Sequence, residues 1–490
     1  MKRILAFLLI VTLLLPLVAC GGGTSLVTEE TETATAATAN TETEDKGVHE
    51  VTGFCAGFGR GVTTPTSSVP LAGYGATSYR MSSNIMDDLY CTCVALQDED
   101  GERLLFFQFD QIGLSLEFGE PVRNMVSKAT GVPGDHILLN ATHTHSGPDT
   151  SSSSDGTAVW RANAWKAAVK AAEDAVADLD TCSIYIGTQE THNLNFVRRY
   201  YLENGFTTPN ATYGTGKVVA HECEVDGDIR FVKFDRKNQK GIVIANWQCH
   251  ATMTGGSSKP DISSDFVGQF RHYVEKDQDL YFLYLQGGAG NVNPSTKLPG
   301  EENPYSRYNT KGKALSNALA EGLQNAVETP AGKIRAMKTE IEGTYTHEDQ
   351  DKLEIAKQVK ELFSANKRSE ASALAIANGI SSAYEASAIV GRAGRGETGV
   401  IPLYAYAFGD VGVVTAPFEM FCNVYRDLRA VSPFALTLTC GYANGSQGYM
   451  PAAESFPNKG YEVVTCKYVQ GTAEQITAKQ LEMLEELKAK

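Results

Sequence analysis

The sequence predicts a mixed α/β fold for residues 51–490, and three features of the chain indicate this class. Pairs of strand-like segments flank short polar turns, as in β-hairpins. Other segments repeat apolar residues with the period of an amphipathic helix. The two kinds of segment follow one another without the strict alternation that builds a parallel βαβ sheet. We therefore expect one large mixed α/β domain and predict no strand order for it.

The individual elements follow from these patterns. Hairpins are predicted where residues 89–96 and 104–109 flank the turn Asp98-Glu99-Asp100-Gly101, and where residues 229–234 and 242–247 flank Arg236-Lys237-Asn238. Helical periodicity is clearest at residues 159–179, 313–327, 352–364 and 473–487. Further strands are predicted at residues 280–285, 404–408, 411–414 and 436–440.

The amino terminus has the pattern of a bacterial lipoprotein signal peptide. Lys2 and Arg3 precede an apolar run at residues 4–17, which is too short to cross a membrane as a helix. The ending Leu17-Val18-Ala19-Cys20 resembles a lipobox, in which the cysteine becomes lipidated. We therefore predict a signal peptide at residues 1–19. The alternative is an ordinary secretory signal in which the cysteine is incidental.

Residues 20–50 are expected to form a flexible, acidic tether that begins with the lipidated Cys20. The segment opens with Gly21-Gly22-Gly23 and continues as a mixture of Thr, Glu and Ala without any aromatic residue. Such a composition buries too little apolar surface to order the chain. The acyl chains on Cys20 would hold the protein at the bacterial cell membrane, on its extracytoplasmic side.

The overall composition restricts the partners of the chain. Its formal net charge of −15 at pH 7 argues against nucleic acid and against direct attraction to anionic lipid headgroups. Of the ten cysteines, one is assigned to the anchor, and an odd number remains. Most of these lie in apolar, strand-like runs, where cysteine behaves as a small hydrophobe. The pattern allows one or two disulfides and requires none.

Histidines and a carboxylate follow apolar runs at three places in the chain. His143 and His145 come after the run at residues 136–139, and on an extended segment their side chains would share a face. His250 and Glu419 each end another apolar run. Two histidines and a carboxylate, with one position open for water, form a catalytic zinc set of the hydrolytic type. Each also has a simpler interpretation: two solvated loop histidines, a hydrogen-bonded core histidine at 250, and a helix cap at 419.

Several motifs occur along residues 54–466 in the order of a known family. They are His143-Thr144-His145-Ser146-Gly147-Pro148, Asn246-Trp247 with His250, Ser264-Asp265 with Gly268, the loop Gly290-Asn291-Val292-Asn293-Pro294, Pro417-Phe418-Glu419, and the group Asn444, Tyr449, Glu454, Tyr461 and Glu462. With these motifs the chain resembles the neutral ceramidases, whose histidine motif reads H-T-H-S-G-P. These enzymes are zinc-dependent amidases that cleave the fatty acyl amide of ceramide.

The resemblance implies a large zinc-hydrolase domain of the neutral ceramidase type at residues 51–490. Because the chain ends near Lys490, we expect no carboxy-terminal immunoglobulin-like domain. The implied cofactor is Zn²⁺, and its implied ligands are His143, His250, Glu419 and Tyr449. The implied catalytic residues are His145, Arg198, Asn293 and Tyr461.

The resemblance also implies a role for each catalytic residue. His145 would lie beside the metal as the acid that protonates the leaving nitrogen. Tyr461, together with His145 or Arg198, would donate hydrogen bonds to the developing oxyanion. Arg198 is followed by Arg199, where the family usually has serine. Arg198 and Tyr461 also have simpler interpretations, as a surface charge and a packed core aromatic.

Asn293 is the most consequential departure, since it occupies the place of the family's active-site serine. An amide is no nucleophile, although it can donate to an oxyanion or orient a water. Hydrolysis is therefore expected only if a water activated by zinc attacks the substrate. Ser446, Pro451 and Ala452 replace a tyrosine and two threonines of the family. These changes make ceramide itself a weaker prediction than zinc-dependent hydrolysis.

Three functions remain open on the sequence. The first is a zinc-dependent amidohydrolase that cleaves an N-acyl amide bond of a lipid or related small molecule. The second is a non-catalytic ligand-binding lipoprotein, which the replacement of the serine by Asn293 favours. The third is a zinc hydrolase of esters or cell-wall amides. The sequence indicates no oligomeric state.

Overall fold

A computed structural model gives the structure of the protein and describes residues 53–74, 80–203, 207–208, 217–256, 258–298 and 300–490. The predicted signal peptide, Cys20 and the tether lie outside these residues. The described residues belong to one compact unit.

Strands dominate the first half of the described chain, and helices become more frequent in the second. The strands are β1 Cys55–Val62, β2 Pro70–Leu71, β3 Arg80–Met81, β4 Asn84–Ile85, β5 Tyr90–Gln97, β6 Arg103–Phe109, β7 Ile137–Ala141, β8 Asp180–Gln189, β9 Phe196–Val197, β10 Tyr200–Leu202, β11 Thr207–Thr208, β12 Val218–His221, β13 Ile229–Arg236, β14 Ile242–Trp247, β15 Asp261–Ile262, β16 Tyr281–Gln286, β17 Val292–Asn293, β18 Val327–Thr329, β19 Arg335–Thr344, β20 Thr398–Phe408, β21 Val411–Thr415, β22 Glu419–Met420, β23 Leu436–Cys440 and β24 Tyr449–Met450. The helices are α1 Leu116–Thr130, α2 Asp155–Ala177, α3 Asp265–Asp277, α4 Tyr308–Gln324, α5 Leu353–Ser364, α6 Arg368–Ala377, α7 Ala383–Arg392, α8 Cys422–Ala430, α9 Tyr461–Thr465 and α10 Thr472–Ala489.

A nine-stranded mixed sheet and a four-stranded sheet form the framework. The large sheet has the order β16-β14-β13-β8-β1-β5-β6-β7, with β18 also paired to β8. Most of its pairs are antiparallel, but β14 with β16 and β6 with β7 are parallel. The small sheet has the order β19-β20-β21-β23, and its β21 and β23 are parallel. The candidate site residues come after strands of these parallel pairs along the chain.

The main core lies between the two sheets. Along β5, Val94 and Leu96 pack with Tyr406 and Val413 of the small sheet. The alternate residues of β5, including Cys93, belong to a second cluster with α1 and α2. This period of two is what a strand buried on both faces requires.

Helices cover the outer faces of both sheets. Helices α1 and α2 pack on one part of the large sheet, and α3 and α4 on another. Helices α8 and α10 cover the small sheet. Helix α2 lies so close to β1 that a Cβ at Gly59 would come within 2.0 Å of the Ala171 carbonyl oxygen. Glycine in β1 is therefore a condition of this close packing.

The predicted elements are confirmed in type and approximate position. Both hairpins form, as antiparallel pairs of β5 with β6 and of β13 with β14. The four predicted helices correspond to α2, α4, α5 and α10, and the four later strands to β16, β20, β21 and β23. The mixed α/β class is therefore correct.

Two further findings concern the cysteines and the helices. None of the cysteines from Cys55 to Cys466 in the described segments forms a disulfide. No helix in those segments combines the length and apolar character needed to cross a membrane.

Candidate metal centre

The candidate ligands come from strands at opposite ends of the large sheet. His143 follows β7, which is one edge strand, and His250 follows β14, which lies next to the other edge. The Asn140 side chain joins the two edges, because its Oδ1 accepts a hydrogen bond from the Gln286 amide of β16 at 2.8 Å. The curvature of the sheet thus brings His143 and His250 together, with ring centroids 4.5 Å apart.

A sharp turn directs His143 into this centre. Strand β7 ends at Ala141, and His143 has a φ of 65°, in the left-handed region that non-glycine residues rarely adopt. The expectation of an extended segment with His143 and His145 on one face was therefore wrong, because the backbone turns at His143. The two rings nevertheless meet, with Nε2 atoms 3.2 Å apart.

The two proposed ligand histidines are fixed in the same way. His143 Nδ1 hydrogen-bonds the Ile112 carbonyl oxygen at 2.6 Å, and its ring packs on Tyr442 with centroids 4.1 Å apart. His250 Nδ1 hydrogen-bonds the Ala289 carbonyl oxygen at 2.7 Å. A carbonyl can only accept, so each Nδ1 carries a proton, and Nε2 is the ring atom of each histidine that faces the centre. This is the usual arrangement of histidine metal ligands.

Glu419 and Tyr449 enter the centre as partners on two short parallel strands. Glu419 of β22 pairs with Tyr449 of β24. The Glu419 Oε2 atom lies 3.3 Å from His143 Nε2 and 3.4 Å from His250 Nε2. The Tyr449 hydroxyl lies 3.4 Å from His250 Nε2. Glu419 is not in the first turn of α8, which begins at Cys422, so it is no helix cap.

The protonation states of this group suit a divalent cation. Burial, with the nearby Arg198 cation, lowers the pKa of His250 to about 4. Burial alone would raise the pKa of Glu419, but His143 and His250 hold it well below its ordinary value. The Glu419 Oε2 atom is buried and accepts no hydrogen bond from the described residues. Two imidazole Nε2 atoms beside an ionised carboxylate whose Oε2 has no hydrogen-bond partner among the described residues therefore fit a bound metal ion.

His145 lies within the same group but is held differently. The ligand nitrogens of His143, His145 and His250 all lie within 4.8 Å of one another, so these three histidines alone could hold a metal ion. The Nδ1 atom of His145, however, has no hydrogen-bond partner among the described residues. Burial, reinforced by the two other histidines, keeps its pKa well below the ordinary value. His145 is therefore as close to the centre as the two proposed ligand histidines. It differs from them because no hydrogen bond to its Nδ1 from the described residues fixes its ring.

Arg198 and Asn293 border the centre on a short two-stranded ribbon. Strands β9 and β17 pair antiparallel, with Asn293 opposite Phe196. The Arg198 Nη1 atom lies 3.2 Å from His250 Nε2 and donates to Asn293 Oδ1 at 3.4 Å. Its Nη2 donates to the Tyr449 hydroxyl at 3.1 Å. Because Oδ1 of Asn293 accepts from the arginine, its Nδ2 amide is the atom left to donate elsewhere.

Tyr461 approaches the centre through other aromatic rings. It lies edge-on to Tyr449, with centroids 5.3 Å apart, and edge-on to Tyr384, with centroids 5.4 Å apart. Tyr74 lies edge-on to His145 at 5.1 Å on another side. Burial, then the charge of Glu419, raises the pKa of Tyr461, so its hydroxyl keeps its proton. Tyrosine rings therefore form much of the wall around the candidate site.

Two solved structures share this fold at low sequence identity. One is the neutral ceramidase from Pseudomonas aeruginosa, with a TM-score of 0.67 and 16% identity over 89% of this chain and 75% of that chain. The other is a ceramidase complexed with C2, with a TM-score of 0.66 and 16% identity over 89% of this chain and 76% of that chain. No protein-family model and no curated protein sequence matches the chain. At this identity the similarity establishes the fold.

Sequence reasoning missed two features of the centre. Tyr442 supports the His143 ring and directly follows β23 and Gly441, so the rule used for the histidines, a polar residue after an apolar strand, would have found it. The second is the buried pair Arg199 and Glu462, whose side chains are linked at 3.0 Å. Two charged residues distant in the sequence give no local signal of pairing.

Proposed function

We propose that the protein is a zinc-dependent amidohydrolase that cleaves an N-acyl amide bond in a lipid or a related small molecule. The observation that carries this proposal is the convergence of the His143 and His250 Nε2 atoms on Glu419 Oε2, at 3.3 and 3.4 Å. The similarity of the fold to a neutral ceramidase supports the choice of an amide substrate.

The proposed zinc ligands are His143, His250, Glu419 and Tyr449. Two histidine nitrogens and one carboxylate are typical donors of catalytic zinc sites. The Tyr449 hydroxyl lies beside His250. Zinc at this position supplies Lewis acidity, which polarises a carbonyl oxygen and acidifies a water molecule.

The surrounding side chains of the chain orient the substrate and stabilise developing charge. The Nδ2 amide of Asn293 is available to donate to a carbonyl oxygen that becomes negative. Arg198 already holds Asn293 by its Oδ1 and adds positive charge at the same place. Tyr461 has a protonated hydroxyl and supplies a further donor. These three groups form the proposed oxyanion site.

His145 is the proposed proton carrier. It is neutral, because burial lowers its pKa well below the ordinary value. The Nδ1 atom without a hydrogen-bond partner among the described residues leaves the ring one nitrogen for proton exchange. A neutral imidazole can take a proton from the attacking water and pass it to the leaving nitrogen.

The proposal is tested with purified, zinc-loaded protein on a panel of N-acyl sphingosines, other N-acyl amides, esters and cell-wall amides. We expect one zinc per chain and hydrolysis of at least one acyl amide. His143→Ala should lose both zinc and turnover. The exposed His192, which lies outside the centre, provides the matched control, and His192→Ala should retain both. A folded wild-type protein that binds no zinc would contradict the proposal.

A second candidate function is ligand binding without turnover, and Asn293 is the observation that favours it. An amide in the oxyanion site can hold a carbonyl but cannot attack it. The distinguishing variant is Asn293→Ser. If the wild type binds acyl amides without cleaving them and the serine variant cleaves them, the protein is a binding protein. Turnover by the wild type excludes this alternative.

We also propose that Cys20 anchors the protein to the outer side of the bacterial cell membrane. The support is the lipobox-like sequence Leu17-Val18-Ala19-Cys20 after a short apolar run. Metabolic labelling with a radioactive fatty acid should label the wild type, and Cys20→Ser should abolish the label. Equal labelling of both proteins would contradict the anchor.

A further inference from the structure

Glu462 joins the two consecutive arginines that border the metal centre. Its Oε1 accepts a hydrogen bond from Arg198 Nε at 2.7 Å, and its Oε2 accepts from Arg199 Nη1 at 3.0 Å. Glu462 and Arg199 are fully buried, and Arg198 is 8% exposed. Burial alone would raise the pKa of Glu462, but the two arginines keep it below its ordinary value, so the carboxylate is charged.

Arg199 in turn fixes Glu462 to the rest of the fold. Its Nε and Nη2 atoms both contact the carboxylate of Glu222, which directly follows β12. Its Nη2 also donates to the Lys459 carbonyl oxygen at 2.8 Å. Glu222 and the Lys459 carbonyl therefore fix the Arg199 guanidinium, and Arg199 in turn fixes Oε2 of Glu462.

Among the described residues, Arg198 is the one cation placed directly among the proposed ligands. Its Nη1 lies 3.2 Å from His250 Nε2, and its Nη2 lies 3.1 Å from the Tyr449 hydroxyl. Glu419 is close by, because its Oε2 lies 3.4 Å from the same His250 Nε2 atom. Arginine forms strong paired hydrogen bonds with carboxylates. Without another carboxylate to hold it, Arg198 would turn toward Glu419 and compete with a metal ion for it.

We propose that Glu462 is a positioning residue that holds Arg198 away from Glu419 and so keeps the metal centre open to a divalent cation. Glu462 acts through Arg198. Its Oε1 holds the Nε edge of the guanidinium, which leaves Nη1 directed to His250 and Asn293 and Nη2 directed to Tyr449. Its negative charge also offsets the arginine charge that would repel a metal ion. This inference rests on the proposed zinc-dependent function.

The test is a double-mutant cycle on zinc affinity, measured by competition with a chromogenic chelator on the full chain after metal removal. The cycle compares the wild type with Glu462→Gln, Arg198→Gln and the double variant. Glu462→Gln should weaken zinc binding by about tenfold or more, as for the loss of other residues that orient ligands. Arg198→Gln should bind zinc at least as tightly as the wild type. The double variant should recover to within about threefold of Arg198→Gln, because the group that competes for Glu419 is gone.

Glu275→Gln is the matched control, since Glu275 is a partly buried carboxylate that is paired with Arg60 at 3.0 Å and contacts neither Arg198 nor Arg199. It should change thermal stability but leave zinc affinity within about threefold. An equal loss of affinity in this control would show a general structural effect and overturn the proposal. So would a double variant that binds zinc as weakly as Glu462→Gln.

If circular dichroism shows that Glu462→Gln folds poorly, a second variant tests the same role. Glu462→Asp keeps the charge but is too short to reach both arginines, and it should weaken zinc binding at least threefold. Wild-type affinity in whichever of these two variants folds would overturn the positioning role alone. A wild-type protein that binds no zinc would instead overturn the proposed function as well, so the two failures are distinguishable.

Discussion

His143 and His145 lie two residues apart, yet the contacts around their rings differ. The Nδ1 atom of His143 is tied to the Ile112 carbonyl oxygen at 2.6 Å, whereas that of His145 has no hydrogen-bond partner among the described residues. Gly73 lies against the His145 ring, where a Cβ would come within 2.4 Å of Nδ1. His145 is therefore confined by shape, and His143 by a hydrogen bond that sets its tautomer.

Because His145 is the proposed proton carrier and Glu419 a proposed zinc ligand, substitutions at these two positions should have different effects. His145→Gln should keep zinc affinity within about threefold and lower kcat by about 100-fold or more, the usual contribution of a general acid or base. Glu419→Gln should weaken zinc binding by more than about 100-fold, because losing a mere outer partner of a ligand already costs up to that much. Zinc affinity and steady-state kinetics measure both effects.

The opposite result would assign the ligands differently. If His145→Gln loses zinc while Glu419→Gln keeps it, the metal is held by His143, His145 and His250, whose ligand nitrogens all lie within 4.8 Å of one another. The exposed His192 again provides the control, since His192→Gln should change neither quantity.

At the scale of elements, strand and helix types were predictable because each follows from a local pattern. Strand β14 reads as six buried residues, Ile242–Trp247, which is what a strand covered on both faces requires. Helix α1, Leu116–Thr130, was not predicted, and it contains a glycine and Pro121 in its early part. Both residues oppose helix formation in the interior, so packing of Phe118 and Val122 outweighs local preference here.

The candidate site was predictable in its residue types but not in its geometry. Polar residues after apolar strands identified His143, His250 and Glu419. Their convergence depends on the curvature that joins the edges of the large sheet at Asn140, and no local pattern encodes it. The left-handed turn at His143 likewise depends on tertiary contacts.

Asn444 links three elements next to the centre, and its loss should destabilise the fold. Its Oδ1 accepts from Arg123 Nη2 of α1 at 2.8 Å and from the Leu139 amide of β7 at 2.9 Å, and its Nδ2 donates to Thr415 of β21 at 3.2 Å. Asn444→Ala would leave Nη2 of the buried Arg123 and the buried Leu139 amide without their acceptor, so we expect a loss of about 2–4 kcal/mol in the free energy of unfolding. Urea denaturation measures this loss.

The control for Asn444→Ala is a substitution of another asparagine that has the same backbone conformation. Asn193 has a φ of 56°, close to the 57° of Asn444, and is exposed. Asn193→Ala should therefore suffer only the backbone cost, about 1 kcal/mol. Equal losses at both positions would show that backbone strain, rather than the hydrogen bonds, accounts for the effect.

At the scale of the whole molecule, the candidate centre lies where the two sheets meet. His143 and His250 follow strands of the nine-stranded sheet, and Glu419 and Tyr449 follow β21 and β23 of the four-stranded sheet. Direct bonds already cross this junction, since the Asn246 side chain of β14 donates to the Thr439 carbonyl oxygen of β23 at 3.1 Å. A metal ion held by all four side chains would connect the two layers of the fold a second time.

Zinc should therefore stabilise the whole fold. A ligand that binds only the folded state at about 100 times its Kd adds about 2.7 kcal/mol. For a domain of this length that corresponds to a rise in Tm of roughly 3 °C, which differential scanning calorimetry with and without a chelator resolves. Glu419→Gln removes the charged ligand from the four-stranded side, so the same zinc concentration should leave its Tm almost unchanged. If that variant rises as much as the wild type, zinc binds elsewhere and does not join the two sheets.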